Sequence, residues 1–392
     1  MRTERLLALD VFRGMTVAAM LLVNNPGSWG AIYPPLAHAA WHGWTPTDLI
    51  FPFFLFIVGI TTTLSREARR ARGADDGELR RQVWRRGGLI ILFGLLLAGF
   101  PFFTWPPALP EASFVERITD RLAHWRIPGV LQRIGLAYLG GAWLTWRTTP
   151  RQQIGIVALL LVGFWALQTL VPVPGLGSPG SLDQPPELLS AWLDRTLFTE
   201  SHLWSGSKSW DPEGLLSTVP AVGTVMLGTL AGQWIGATAR PLTERLAALF
   251  AVGALLMVAG AMWGWVFPIN KGLWTSSYVL FTAGMAAVAL ATCLWLIDVQ
   301  QWRRWTFPFA IYGTNPMLAF LGSGIMARCL GSLWTWEIAP GTRRSAQQAI
   351  HQTLFASWLP PQDASLAYAV SFVTVWFLLL WAAWKRGFVL KV

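Results

Sequence analysis

The chain has 392 residues, 54% of them hydrophobic and only 13% charged, with a mean hydropathy of +0.45. A water-soluble domain of this composition would expose large apolar patches, so most of the surface is expected to face lipid. The net charge of +10 comes with no readable nucleic-acid-binding fold, and positive loops at one membrane face account for it instead.

The first apolar stretch follows Arg2 and Arg5. Asp10 and Arg13 interrupt it and no small-residue cleavage site follows Val23, so it reads as a retained helix and not a removed signal. A membrane-spanning helix needs about 20 mostly apolar residues. About ten spans are predicted on that measure, at 7–23, 46–64, 87–103, 128–146, 154–171, 215–235, 246–267, 274–297, 307–326 and 366–384.

The loops between them divide by charge. Those holding Arg2 and Arg5, 66–86, Arg147 and Arg151, Arg240 and Arg245, Arg303 and Arg304, and Lys385 and Arg386 are basic. They alternate with 24–45, 104–127, 172–214, 268–272 and 327–365, which are poor in Lys and Arg or long and mixed. The positive-inside rule then puts the basic loops and both termini in the cytoplasm. One missed helix would scramble this alternation. The expected fold is therefore all-α, a polytopic integral membrane bundle of about ten transmembrane helices with both termini cytoplasmic, in a single domain over residues 1–392.

No internal repeat is visible, and the two halves share no matched Gly/Pro-broken helices, which argues against an inverted-repeat transporter. The segment 172–186, rich in Pro, Gly and Ser, reads as a turn-forming loop. Most of the 25 tryptophans lie near span ends, where an interfacial belt is expected. Cys293 and Cys329 lie in or beside apolar segments and read as small buried hydrophobes, with neither a disulfide framework nor a thiolate metal site indicated.

Ionisable groups inside spans cost about 2.5 to 3.5 kcal/mol each unless they line a cavity or find partners. Four stand out: Asp10, Arg13, Asp48 and Arg133. Asp10 and Arg13 share a helix face and can neutralise each other as a packing ion pair. Arg133, near the outer end of its span, needs an acid such as Asp10, Asp48 or Asp120, or an anionic ligand.

The first outward loop is the most polar feature in the apolar frame. It runs from Asn24-Asn25-Pro26 through His38 and His42 to Thr45-Pro46-Thr47-Asp48. Histidine takes a proton near neutral pH, a carboxylate neighbour stabilises its imidazolium, and an amide can polarise a carbonyl, so these are the parts of an acid–base site. The plainer reading leaves both histidines solvated or bonded to backbone, and Thr47 with Pro46 starting the second helix. Metal binding is not expected, because no Cys or acidic ligand set completes the two imidazoles.

Further polar groups gather at span edges. Asp211 and Glu213 precede a helix, where acids are favoured in any case. Asn270-Lys271-Gly272-Leu273-Trp274 supplies a lone outward lysine, and Asn315-Pro316 breaks an apolar helix. Irregular backbone at membrane depth requires surrounding protein or a water-filled cavity, so a central cavity is predicted.

Taken together, Asp10-Val11-Phe12-Arg13-Gly14, Asn24, His38-Ala39-Ala40-Trp41-His42-Gly43, Asp48-Leu49-Ile50-Phe51-Pro52, Asp211-Pro212-Glu213-Gly214 and Asn270-Lys271-Gly272-Leu273-Trp274-Thr275 resemble the heparan-α-glucosaminide N-acetyltransferase family and its bacterial relatives. The resemblance runs over nearly the whole chain. It implies acetylation across a membrane, from cytoplasmic acetyl-CoA as co-substrate to an amino-sugar or glycan acceptor on the other side, without a metal. It also implies that His38 is catalytic and assisted by Asn24. With it we expect Asp10, Arg13, Arg133 and Asn315 to contact acetyl-CoA, and the 66–86 arginines to be candidates for its phosphates. The acceptor is expected to meet His42, Asp48, Asp211, Glu213, Asn270, Lys271 and Trp274.

The family further implies a homodimer, a bacterial inner (cytoplasmic) membrane location with lipid contacts, and no nucleic-acid partner. The Asn24 to His38 interval is a few residues longer here than in animal members, whose large luminal domain and extra leading helix are not expected in this chain. Two rival functions use the same polar groups: a sugar or lipid-linked sugar transporter without acyl transfer, and an O-acyltransferase of envelope polysaccharide.

Overall fold

Local capping signals start several of the helices. A computed structural model describes residues 6–105, 109 and 111–390, so the Arg2 and Arg5 terminus lies outside the described residues. In chain order the helices are α1 (Leu7–Asn24), α2 (Ile50–Arg70), α3 (Asp76–Gly99), α4 (Phe114–Ala123), α5 (Val130–Leu144), α6 (Pro150–Leu170) and α7 (Leu189–Phe198). They continue with α8 (Thr218–Gly236), α9 (Leu242–Trp263), α10 (Ser276–Leu294), α11 (Phe307–Thr314) and α12 (Pro316–Arg328). An antiparallel hairpin, β1 (Thr335–Ala339) and β2 (Thr342–Ser345), precedes α13 (Ala346–Leu354) and α14 (Pro361–Lys385). Asp75, Ser113, Thr149 and Ser345 each accept a backbone N–H at a helix start, contributions of about 1 kcal/mol apiece.

Among the described residues, eight helices are long and apolar enough to cross a membrane, and the protein is an integral membrane protein. They correspond to eight of the predicted spans. The other two, at 128–146 and 215–235, become α5 and α8. Helix α5 has 15 residues because it begins only after Pro128-Gly129, and at about 1.5 Å per residue it is shorter than the hydrocarbon layer. Helix α8 is rich in Gly and Thr and packs against α2, α5, α6 and α10. A helix surrounded by protein needs close contact more than lipid solubility. A Cβ on Gly59 would lie 2.0 Å from the Val225 carbonyl oxygen, and one on Gly228 2.1 Å from that of Phe56. The α2 and α8 backbones therefore touch, as small residues permit in membrane bundles.

The predicted 307–326 span is divided at Asn315, with α11 ending and α12 starting on either side of it. Asn315 Nδ2 donates to the Phe388 carbonyl at 3.2 Å, and its Oδ1 accepts from Leu390 N at 3.2 Å. Nearby, Arg13 donates to the Gly313 carbonyl at 3.1 Å. Both described chain ends thus lie at one face of the bundle. At the opposite face the connecting segments interlock: Gly27 N donates to Ser365 O, Gly43 N to Ile269 O, and Ile127 N to His202 O.

Candidate active site

Helix α1 ends at Asn24, and Asn25 turns back to donate to the Leu21 carbonyl at 2.8 Å. The chain then passes under α14, where Ser365 accepts from both Gly27 and Ser28. It re-enters the bundle through a short 3-10 turn at Pro46–Leu49. The start of that turn is capped by Asp48, not by Thr47, whose hydroxyl donates to the Pro35 carbonyl. Asp48 Oδ2 accepts from Thr45 N and Ala39 N, each at 3.0 Å. Its other oxygen, Oδ1, lies 2.7 Å from His38 Nδ1.

The two members of this pair differ in access. The Asp48 side chain is 1% exposed and that of His38 48%. The acid is therefore a fixed support, and the imidazole is the group a substrate can reach. With Asp48 ionised, the imidazole donates through Nδ1–H and leaves the Nε2 lone pair as a base, the tautomer that a carboxylate partner selects.

His38 lies on the wall of a cavity of about 440 Å³ that Asn24, Asp48, Glu213, Lys271 and Trp274 also line. Met20, Phe54, Ile134 and Phe320 add an apolar part to the lining. Lys271 Nζ sits 3.1 Å from each ring nitrogen of His38 and 3.7 Å from Asp48 Oδ1. Burial lowers the Lys271 pKa below the ordinary lysine value, although the Asp48 and Glu213 charges oppose that shift.

Arg126 is a functional-site residue that the sequence reading missed. Its Nε donates to Asp211 Oδ2 at 2.9 Å, and its Nη2 donates to both Asp211 Oδ1 and Glu213 Oε2 at 2.5 Å. Burial disfavours the guanidinium charge, but the two carboxylates outweigh it and raise the pKa above the usual arginine value. No motif surrounds Arg126; the only local hint is a cation just before Pro128-Gly129. Asp194 was also missed. Its Oδ1 accepts from Leu215 N at 2.9 Å, and burial, with Asp211 adding repulsion, pushes its carboxyl up to about 7. A Cβ on Gly214 would meet Asp194 Oδ2 at 1.8 Å, so the glycine that ends Asp211-Pro212-Glu213-Gly214 makes room for that carboxyl.

The remaining predicted residues divide between two places. Trp274 is fully buried, with Nε1 donating to Thr224 Oγ1 at 3.2 Å and the Arg133 guanidinium 5.2 Å from its ring centroid. Arg133 donates to Ser217 Oγ and to the Gly214 carbonyl, not to Asp10, Asp48 or Asp120, because the first turn of α5 abuts the entry to α8. His42 and Asn270 lie behind the cavity wall. His42 Nε2 is 2.9 Å from Asp183 Oδ1, and Asn270 donates to the Trp41 carbonyl while accepting from Leu273 N. Asp211 is likewise held by Arg126 behind the wall that Glu213 lines.

Asp10, Arg13 and Asn315 are elsewhere, toward the face of the chain ends. Arg13 and Asp10 pair at 3.2 Å, about 16 Å along α1 from Asn24 at the helical rise. On that face too, Arg66, Arg70 and Arg80 surround Trp146 at 5.7, 5.8 and 5.4 Å from its centroid, and Arg86 lies 5.4 Å from that of Tyr138.

A membrane-embedded helical bundle whose cavity carries a half-exposed histidine oriented by a buried carboxylate belongs to the class of integral membrane proteins equipped for acid–base chemistry. Residues 5–262 match the family described as "Heparan-alpha-glucosaminide N-acetyltransferase, catalytic", and the chain belongs to that family. It is 28% identical over 379 residues to the heparan-alpha-glucosaminide N-acetyltransferase of Mus musculus, covering 84% of this chain and 55% of the relative. The corresponding protein of Homo sapiens is 28% identical over 378 residues, covering 84% of this chain and 54% of the relative. The chain spans about half the length of these curated relatives. The resemblance read from the motifs is thereby confirmed. The family match includes Asn24, His38, Asp48, Arg126, Asp211 and Glu213, whereas Lys271 and Trp274 lie beyond it.

Proposed function

We propose that the protein transfers the acetyl group of acetyl-CoA to the amine of an amino sugar, with His38 as general base. The observation that carries this reading is the His38–Asp48 pair on the cavity wall. In the reaction, the acceptor nitrogen adds to the thioester carbonyl carbon, and its proton passes to His38 Nε2. Asp48 stabilises the imidazolium that forms. Collapse of the intermediate breaks the C–S bond, and the CoA sulfur leaves with the proton from His38. Asn24, at the end of α1 on the same wall, positions the thioester or the imidazole, and Glu213 offers an anionic contact to the amino sugar.

The reaction spans a membrane in this reading. The ten predicted spans include α5 and α8 as interior helices, and the basic loops share the face of the chain ends, which the positive-inside rule assigns to the cytoplasm. His38 then opens to the opposite side. The arginines around Trp146 and Tyr138 supply cations for the phosphates of cytoplasmic CoA.

The test is to incubate purified protein in detergent with acetyl-labelled acetyl-CoA and a panel of amino sugars. Label should appear in an acceptor as an amide by mass spectrometry, with no gradient present; an ester would make the protein an O-acyltransferase. A folded His38→Ala variant should lose at least about 1000-fold in kcat, and wild-type turnover by that variant would refute the base assignment.

A further inference from the structure

Lys271 sits on a braced turn and reaches over the proposed base. Asn270 fixes that turn to the His38 loop through Trp41, Thr275 Oγ1 donates to the Pro268 carbonyl at 2.9 Å, and Gly43 N donates to Ile269 O at 2.8 Å. Trp274 adopts φ 54°, a left-handed conformation, with its indole packed under Arg133. The backbone that carries Lys271 is therefore tied to the loop that carries His38.

An ammonium has three donors and no acceptor. His38 has one free lone pair once Nδ1–H is given to Asp48, and Nζ, equidistant at 3.1 Å from both ring nitrogens, stands over the imidazole within reach of Nε2. In this arrangement the lysine covers the base, and it still has donors to spare for the cavity. A thioester carbonyl placed beside His38 offers a competing acceptor that becomes more basic as the reaction proceeds.

We propose that Lys271 is a further catalytic residue, whose ammonium leaves the imidazole for the carbonyl oxygen of the acyl thioester and stabilises the negative charge that develops there. The inference rests on the acetyl-transfer reading above. As the acceptor nitrogen adds to the carbonyl carbon, the π electron pair moves to oxygen and is met by an Nζ–H. The nitrogen's proton goes to His38 Nε2, now uncovered. When the oxyanion collapses, the C–S bond breaks and the sulfur takes that proton, so Lys271 begins and ends the cycle protonated.

The groups facing Lys271 set its pH response. His38 and Asp48 face it from the first loop, Glu213 from the segment before α8, Arg126 from the segment before α5, and Arg133 from α5. Burial and the Arg133 charge favour the neutral amine, while Asp48 and Glu213 favour the ammonium. Because the neutral amine is a much weaker donor to the oxyanion than the ammonium, kcat should fall at alkaline pH, along a limb lying below the ordinary lysine range.

The experiment measures kcat, the KM for acetyl-CoA and the alkaline limb for wild type, Lys271→Met and Lys271→Arg, with acetyl-CoA binding by titration calorimetry on each purified protein. Lys271→Met should lower kcat about 100-fold, the usual cost of removing an oxyanion donor, leave KM little changed, and abolish the alkaline limb. Lys271→Arg should stay within about tenfold of wild type and carry the limb upward, because a guanidinium does not titrate in this range. Unchanged kcat in Lys271→Met, a loss expressed only in KM, or an arginine variant as slow as the methionine one overturns the lysine assignment alone. Wild-type protein that moves no label refutes the acetyl-transfer reading, and the lysine role falls with it.

Discussion

Asp48 and Asp211 are buried to the same degree, with side chains 1% and 0% exposed, yet they face partners of opposite capacity. Asp48 holds a half-exposed imidazole that can take up and release a proton. Asp211 holds Arg126, whose guanidinium stays charged throughout. Both carboxylates sit close to the same cavity, so burial alone does not separate catalysis from construction. The partner does: a titratable, accessible base beside one acid, and a permanent cation locked beside the other.

Substitutions at the two acids and their neighbours should separate these roles. The largest effect is expected at the acid beside His38, where Asp48→Asn should lower kcat about 1000-fold in the labelled acetyl-CoA assay while the protein still folds. The amide keeps some of the loop contacts but no longer stabilises an imidazolium. An Asp48→Asn enzyme within tenfold of wild type would place Asp48 with Asp211 as a purely structural acid.

Next comes the ion pair. Arg126→Met leaves Asp211 buried without its cation, and should cost about 3 kcal/mol of stability, seen as a lower unfolding midpoint in detergent. A kinetic defect with full stability would move Arg126 to the catalytic side of the comparison.

Asp194 provides a third test, through pH. Its carboxyl keeps its proton up to about 7 in the folded chain, against an ordinary value of 3.8. Between those values the folded state binds the additional proton, so stability falls as pH rises through that window and is level above it. The fall should be about 4 kcal/mol at most, and Asp194→Asn should flatten it when unfolding is followed across pH. The smallest effect is expected at His42. Its pairing with the exposed Asp183 is worth little in water, so His42→Ala should change kcat by less than about threefold, in contrast to His38→Ala.

Much of the frame was legible in the sequence because lipid writes its demands locally, as runs of apolar residues long enough to span. Of the two predicted spans that fell short, α5 is cut to 15 residues by Pro128-Gly129, and in α8 close packing through Gly59 and Gly228 took precedence over hydropathy. The His38 loop was legible for a related reason: polar groups that interrupt an apolar frame need a purpose. The same logic singled out Asp10, Arg13 and Asn315 at the face of the chain ends. These residues are expected to contact acetyl-CoA, and here they also join helices and tie down the chain end. Arg126 and Asp194 were illegible because their roles arise from tertiary neighbours, the Arg126–Asp211 contact joining residues 85 apart in sequence.

The clasp between the first loop and α14 bears on biosynthesis. Ser365, which receives the N–H groups of Gly27 and Ser28, is made 337 residues after Ser28. Asn24, His38 and Asp48 must therefore wait through the insertion of almost every other helix before the segment that joins them is fastened. A nascent chain stalled after α9 would carry the acid and the base but neither the lysine nor the clasp, and full assembly of the site is deferred until α14 has been made.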